Sequence, residues 1–283
     1  MINGVLLVNK PKGMGSTHVV SKVRKALNTR DVGHCGTLDP LAEGLLILTI
    51  GKALKISKYL EATQKEYITT LTLGKETATL DSEGEFINEQ NINNFTKNDI
   101  LTSFSKLIGK SKQIPPIYSA ISKNGKRLYD YARNNEIVDI PSREIEINEL
   151  ELLDYTTNSI TYRIVCSKGT YIRVVNKDLA SLLNNIGYTT FLKRTKVGNF
   201  KLEDAINLSD IEKNEYKLIS IKDSLTDFNK YYMNDFEYNI ISHGNIFKKY
   251  LPGYQLMIDK EGNEIGLYKG DEENKVTKCL RLF

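Results

Sequence analysis

The densest chemistry in the chain lies in one short segment, Val32-Gly33-His34-Cys35-Gly36-Thr37-Leu38-Asp39-Pro40-Leu41-Ala42-Glu43-Gly44. Glycines that permit unusual backbone angles stand beside a histidine, a cysteine and a carboxylate followed by proline. Proline drives the residue before it to an extended conformation, so Asp39 cannot continue a helix and belongs to a rigid loop. The apolar run Leu45-Leu46-Ile47-Leu48 reads as a core strand that anchors this loop. A side chain on a loop held by a scaffold can be aimed without being buried, which suits a catalytic carboxylate. An Asp-Pro pair also serves simply to cap a turn. Other chemistries fail on spacing. Gly51-Lys52 is followed by Ala53 and position 46 is Leu, so no GxxxxGK[ST] phosphate loop is present. Gly13-Met14-Gly15 starts a dinucleotide fingerprint but has His18 where its third glycine belongs. His34 and Cys35 are neighbours whose side chains diverge in an extended chain, which disfavours a catalytic pair. Three scattered histidines and three distant cysteines (Cys35, Cys166, Cys279) suggest neither a metal site nor a disulfide framework. Reduced thiols fit a cytoplasmic protein.

Two further segments carry candidate side chains. Lys168-Gly169-Thr170-Tyr171-Ile172-Arg173 is β-prone, and on a strand Tyr171 and Arg173 share one face. An arginine beside an aromatic ring is suited to a carboxylate or a phosphate, though a surface salt bridge uses the same residues. Lys65-Glu66-Tyr67 begins an alternating run, so Tyr67 either faces a site or joins ordinary cross-strand packing.

The elements that must position these residues read as mixed α and β. Strands are expected at Ile2 to Val8, Gly44 to Ile50 and Tyr67 to Leu73, the last ended by Gly74. Ser16 can cap a helix with Val20, Val23 and Leu27 on one face. Leu101, Phe104, Leu107 and Ile108 mark a second helix, and Ile114-Pro115-Pro116 a loop. Thr161 to Ser167 and Thr170 to Val175 predict a hairpin around Lys168-Gly169, with a helix from about Lys177 to Leu183. After Phe200 the chain reads as helix and connector. Beyond about Tyr232 come short β runs at Gln255 to Ile258, Ile265 to Tyr268 and Val276 to Phe283, the first two joined by a turn at Lys260-Glu261-Gly262-Asn263. That predicts a β appendage of about 50 residues, smaller than most independent domains.

The chain has 283 residues, 40% hydrophobic and 26% charged, a globular composition sized for one large domain and a small one. Lys and Arg number 39 against 35 Asp and Glu, a net charge of +4 that excludes both a strongly acidic solvating protein and an overtly basic nucleoprotein. The distribution says more. Residues 1–30 hold six basic side chains and no acid, and 106–133 hold seven with one acid. Residues 179–202 hold four with none, whereas 203–240 hold nine acids and four bases. Three acid-poor runs together suggest a polyanion-binding face. No run approaches the roughly 20 apolar residues that span a bilayer. Val5-Leu6-Leu7-Val8, interrupted by Lys10-Pro11-Lys12, is too short for a secretion signal.

The ordered set of motifs closely resembles the TruB family of pseudouridine synthases. Gly33 to Pro40, with Gly44-Leu45-Leu46 and Gly51-Lys52-Ala53, is similar to that family's signature. Val5 to Met14 resembles its N-terminal motif and Lys65-Glu66-Tyr67 its tyrosine motif. Ile114 to Ala120, with Gly125-Lys126-Arg127-Leu128-Tyr129, resembles the mid-chain motif, and Gly169 to Arg173 and Phe191-Leu192-Lys193-Arg194 the later ones. The resemblance spans about residues 2–200; Asn9 and Leu54 depart from the usual pattern away from the proposed chemistry. The C-terminal β segment looks like a short RNA-binding domain of the PUA type.

The resemblance implies an α+β pseudouridine synthase fold, with a large mixed, mainly antiparallel sheet flanked by helices and loops. Residues 1–230 would form the catalytic domain and 231–283 the PUA-like domain. It implies isomerisation of the conserved uridine at position 55 of the tRNA T-arm loop, with Asp39 as nucleophile, either attacking the sugar or abstracting a proton to start a glycal route, Arg173 as its ion-pair partner, and Tyr67 stacking on the extruded base or serving to deprotonate C5. By the same resemblance Tyr171 and Leu192 line the uridine pocket and His34 contacts the RNA loop. Lys10, Lys126, Arg127, Lys193 and Arg194 would meet backbone phosphates. An opposite charge at a few ångströms keeps a carboxylate ionised by lowering its pKa. No cofactor, metal, membrane or obligate protein partner is expected, and the enzyme would act as a cytoplasmic monomer on tRNA. Two other classes stay open: a non-catalytic RNA-binding or tRNA-folding protein, and a glycosidase or nucleosidase using a second acid, for which Glu43 is the local candidate.

Overall fold

The run at 45–48 is uninterrupted by polar residues because its strand is buried on both faces. It lies in a ten-stranded sheet ordered Ile206–Asn207, Gly4–Lys10, Glu43–Ile50, Gly187–Val197, Lys65–Leu73, Ser159–Cys166, Arg143–Tyr155, Gly109–Gln113. Val32–His34 and Phe200–Lys201 pair beside this path. The computed structural model describes residues 2–283 except Ala62, Ala120 and Asn135, so the final residue of the Ile114-to-Ala120 motif lies outside the described residues. Pairing is antiparallel except where Gly4–Lys10 meets Ile206–Asn207 and Glu43–Ile50 meets Gly187–Val197. This is the expected α+β architecture with a mixed, mainly antiparallel sheet.

Strand Lys65–Leu73 shows how the sheet orients the site. Lys65, Tyr67, Thr69, Leu71 and Leu73 are buried while Glu66, Ile68, Thr70 and Thr72 are half-buried, the alternation that a pleated strand imposes. The buried face is covered by helices Ser16–Ala26, Lys97–Leu107 and Ile172–Leu182, whose Val20, Val23, Ile100, Phe104, Val175 and Leu179 join Leu46, Leu48 and Tyr67 in one core. A buried polar network crosses this core. Asn176 donates to Thr69 Oγ1 (3.0 Å) and Thr189 Oγ1 (2.8 Å), and the Tyr162 hydroxyl donates to Asn176 Oδ1 (2.7 Å).

A second core lies on the opposite face. Val5, Leu7, Leu45 and Ile47 meet Phe228, Leu256, Ile258 and Leu267 there. The last three belong to a four-stranded sheet, Asn229–Tyr232, Tyr254–Ile258, Glu264–Asp271 and Val276–Leu282, with helix Asp235–Ile241 beside it. The expected β runs and the turn at 260–263 are present; the expected division at residue 230 falls inside the first of these strands.

Two expectations are corrected. Ser16 does not cap its helix: Gly15 is the N-cap, and the Ser16 hydroxyl donates to Leu38 O (3.0 Å) and accepts from Leu38 N–H (2.8 Å). The second arm of the 161–175 hairpin is not a strand. The chain turns at Ser167–Thr170 and enters helix Ile172–Leu182, longer than the helix expected from Lys177. Ile172, Val174 and Val175 have strand propensity, but Ile172, Val175, Leu179 and Ala180 recur at helical spacing and all are buried. Tertiary burial outweighs intrinsic preference here.

Candidate active site

Asp39 lies between strands Val32–His34 and Glu43–Ile50, and its loop is tied down from three sides. The N–H of Gly13 donates to Pro40 O (2.7 Å), and Ser16 grips Leu38. On the far side Arg194 donates to Leu45 O (2.8 Å), Gly36 O (3.1 Å) and Thr37 O (3.3 Å). Gly44 makes this possible: it has φ +102°, and a Cβ there would stand 2.4 Å from Arg194 O. The carboxylate itself is presented at the floor of a cleft of about 570 Å³, lined among others by His34, Tyr67, Tyr171, Arg173 and Leu192.

Arg173 connects Asp39 to a second carboxylate. Its Nη2 is 3.0 Å from Asp39 Oδ2 and its Nη1 3.2 Å from Asp81 Oδ2. Nη1 also donates to Thr79 O (2.8 Å) and Nη2 to Tyr118 O (3.1 Å). Arg173 and Asp81 are 4% and 3% exposed, whereas Asp39 is 38% exposed, so the free edge of the trio is Asp39. Asp81 Oδ1 accepts from the Thr79 hydroxyl (2.5 Å) and the Glu83 N–H (3.1 Å), which fixes its orientation. Sequence reasoning missed Asp81 because a single Asp in a polar turn carries no spacing signal.

Electrostatics differ in one respect from expectation. Burial pushes the Asp39 carboxyl up from its ordinary value, and Asp81 adds to this; Arg173 and Lys10 pull it down without reversing the shift. Burial likewise raises the Tyr67 phenol, with the Arg194 guanidinium opposing it. Tyr67 is thus a neutral ring and hydrogen-bonding group near pH 7. His34 is pushed down by burial, and its Nδ1 is buried without a hydrogen-bond partner. Lys65, on the same face as Tyr67 and also lining the cleft, is lowered to about 8 by burial and Arg194.

The five expected phosphate contacts separate. Arg127 lines the cleft. Lys126 lies 2.5 Å from Glu136 and over the Tyr131 ring, and Lys193 pairs with Glu43 at 3.3 Å without lining the cleft. Lys10 and Arg194 are corrected: both are essentially fully buried. Lys10 donates to Pro11 O (2.9 Å) and Met14 O (2.5 Å), with its pKa lowered to about 8 by burial, while Arg194 serves the Asp39 loop. Their cations are spent on backbone carbonyls. Glu43, the second acid required by a glycosidase reading, is held by Lys193 and does not line the cleft. Among the described residues no three His, Cys, Asp or Glu side chains are grouped to hold a metal ion, and no helix is long and apolar enough to cross a membrane.

A buried arginine shared by two carboxylates thus lines a cleft with aromatic and apolar walls. The frame that carries it is a pseudouridine synthase fold. The chain superposes over 99% of its length, with TM-score 0.72, on 83% of a chain from the "Crystal Structure of a Cbf5-Nop10-Gar1 Complex". A chain from the "Structure of H/ACA RNP bound to a substrate RNA containing 2'-deoxyuridine" gives the same score over 84% of its length. Identities of 21% and 18% make these likenesses of fold alone. Residues 24–172 match the model of the TruB family pseudouridylate synthase N-terminal domain. Relatives called "tRNA pseudouridine synthase B" are 36% identical in Mesoplasma florum, over 99% of this chain and 97% of that one, and 36% identical in Geobacillus thermodenitrificans, over the full length of both. The chain belongs to the TruB family of pseudouridylate synthases.

Proposed function

We propose that this protein isomerises a uridine of tRNA, the one at position 55 of the T-arm loop, to pseudouridine, with Asp39 as the nucleophile. The observation that carries this reading is the Asp39–Arg173–Asp81 trio beneath a cleft walled by Tyr67, Tyr171 and Leu192. A base inside a folded loop must leave its stack before its glycosidic bond is accessible, and a buried aromatic ring offsets part of that cost. Asp39 attacks C1′ as the C1′–N1 bond breaks, the uracil turns within the cleft, and C5 bonds to C1′ as the Asp39–C1′ bond breaks and the carboxylate is released. The proton lost from C5 is balanced by one gained at N1, so the reaction is an isomerisation with no net redox change. Carboxylate attack on a sugar carbon has precedent in glycosyl transfer. Arg173 holds the nucleophile in place and Asp81 holds Arg173.

The remaining residues bind. The neutral Tyr67 ring stacks on the base, His34 meets the RNA loop, and Arg127, Lys126 and Lys193 meet phosphates, whose recognition in a stem rests on shape. The C-terminal sheet is the PUA-like RNA-binding appendage; Lys249 over Tyr231, Lys269 over Tyr254 and Lys275 over Tyr250 give it a cationic, aromatic surface. The test is incubation with an unmodified T-arm stem-loop followed by mapping of pseudouridine. Wild type should form it at the expected position, and Asp39→Asn should form none while binding RNA nearly as well. Release of free uracil, or turnover by Asp39→Asn, would overturn the reading.

A further inference from the structure

Arg173 stands two residues after the N-cap of its helix. Tyr171 is the N-cap of helix Ile172–Leu182, and its own side chain makes no capping bond. Its carbonyl accepts from the N–H groups of Val174 and Val175, both at 3.1 Å, so the orientation of this one peptide fixes where the helix starts. The Tyr171 N–H lies outside that ladder. It donates to Gln113 Oε1 at 2.8 Å, and Gln113 Nε2 donates back to Tyr171 O at 3.2 Å. Gln113 is 4% exposed, and it ends the edge strand Gly109–Gln113.

A second hold comes from the next strand. Gln113 stands directly opposite Arg143 in the sheet, which puts both side chains on one face. The Arg143 guanidinium lies over the Tyr171 ring, 5.6 Å from its centroid. One cross-strand pair therefore grips Tyr171 twice, by its backbone and by its ring. Immediately after Gln113 the chain enters the loop whose Tyr118 carbonyl accepts from Arg173, so the same residue also anchors the start of that loop.

We infer that Gln113 is a positioning residue for the reaction: its side-chain amide clamps both backbone groups of Tyr171 and so sets the direction in which Arg173 reaches Asp39. Its effect on turnover rests on the proposed reaction; the clamp itself does not. Gln113→Leu removes both bonds. Gln113→Glu keeps the acceptor for Tyr171 N–H but, when ionised, faces Tyr171 O with a lone pair; protonation restores the donor.

The experiment measures kcat and KM of wild type, Gln113→Leu and Gln113→Glu on the T-arm stem-loop across pH, with hydrogen exchange at the Tyr171 amide. Misplacing a catalytic group by an ångström costs large factors in rate, so Gln113→Leu should lose about tenfold or more in kcat with KM within about threefold of wild type. The kcat of Gln113→Glu relative to wild type should rise as pH falls, which a merely structural role would not produce. The Tyr171 amide should exchange faster in Gln113→Leu. A Gln113→Leu enzyme within about twofold of wild-type kcat would overturn the inference. If Gln113→Leu fails to fold, parity of Gln113→Glu with wild type at every pH overturns it instead. Should wild type make no pseudouridine, the functional reading fails, and amide exchange alone decides: faster exchange at Tyr171 in Gln113→Leu supports the clamp, and unchanged exchange refutes it.

Discussion

Asp81→Asn is the sharpest perturbation of the site, because it removes one charge while nearly preserving shape. The asparagine Oδ1 can still accept from Thr79 and the Glu83 N–H, so local geometry should persist. Arg173 then loses the one of its two carboxylates that is as buried as itself. Breaking a buried pair by removing one partner costs about 3–5 kcal/mol, and since Arg173 retains Asp39 and two carbonyls, the lower value of about 3 applies. At about 2–4 °C per kcal/mol for a chain near this size, Tm should fall by about 6 to 12 °C. Turnover should fall about 10- to 100-fold, because the guanidinium is no longer fixed on the side away from Asp39. The pH profile supplies an independent sign. Wild-type kcat/KM should fall as pH drops through the Asp39 pKa, which lies above the ordinary carboxylate value. Asp81 contributes to that elevation, so Asp81→Asn should move the acid limb to lower pH. The assay is tritium release from a stem-loop carrying [5-³H]uridine, with thermal denaturation in parallel. Wild-type kcat together with an unmoved acid limb would refute the reasoning.

Three further outcomes follow from the same geometry. Lys10→Met removes a positive charge that lowers the Asp39 pKa, so its acid limb should move to higher pH, opposite to Asp81→Asn in the same assay. Gly44→Ala sets a methyl group against Arg194 O and strains a φ of +102°, so it should destabilise by about 2 kcal/mol or more in denaturant titration. Removing residues 233–283 strips Leu256, Ile258 and Leu267 from Val5, Leu7 and Ile47; the remaining chain should expose apolar surface, bind a hydrophobic dye and lose stability as well as RNA affinity.

Much of this site was legible because it is local. Asp39 is fixed by the proline after it, the strand behind it by an unbroken apolar run, and the ordered motifs brought Tyr67, Tyr171, Arg173 and Leu192 to one reading. What failed was long-range. Asp81 reaches the site only because its turn bridges to Thr189 and brings both Thr79 and Asp81 against Arg173. Lys10 and Arg194, expected at RNA phosphates, are instead buried on backbone carbonyls, a placement that lysine and arginine rarely take and that no local pattern announces. The β-branched residues at 172–175 read as a strand because periodicity over so short a stretch cannot separate strand from helix.

The bonds from Asn176 to Thr69 and Thr189 have a consequence for where Arg173 points. Ile172, Val175 and Leu179 offer the sheet a greasy stripe that would tolerate the helix rolling or sliding, since apolar contact is non-directional. Hydrogen bonds are not so forgiving: a shift of one turn would strand the amide of Asn176 and the hydroxyl of Tyr162 in a dry interior, at a cost of about 1–3 kcal/mol for each orphaned group. The polar knot in the core therefore works as an indexing pin. It selects one rotational setting of the helix from several that burial alone would accept, and in that setting the guanidinium three residues earlier meets both carboxylates.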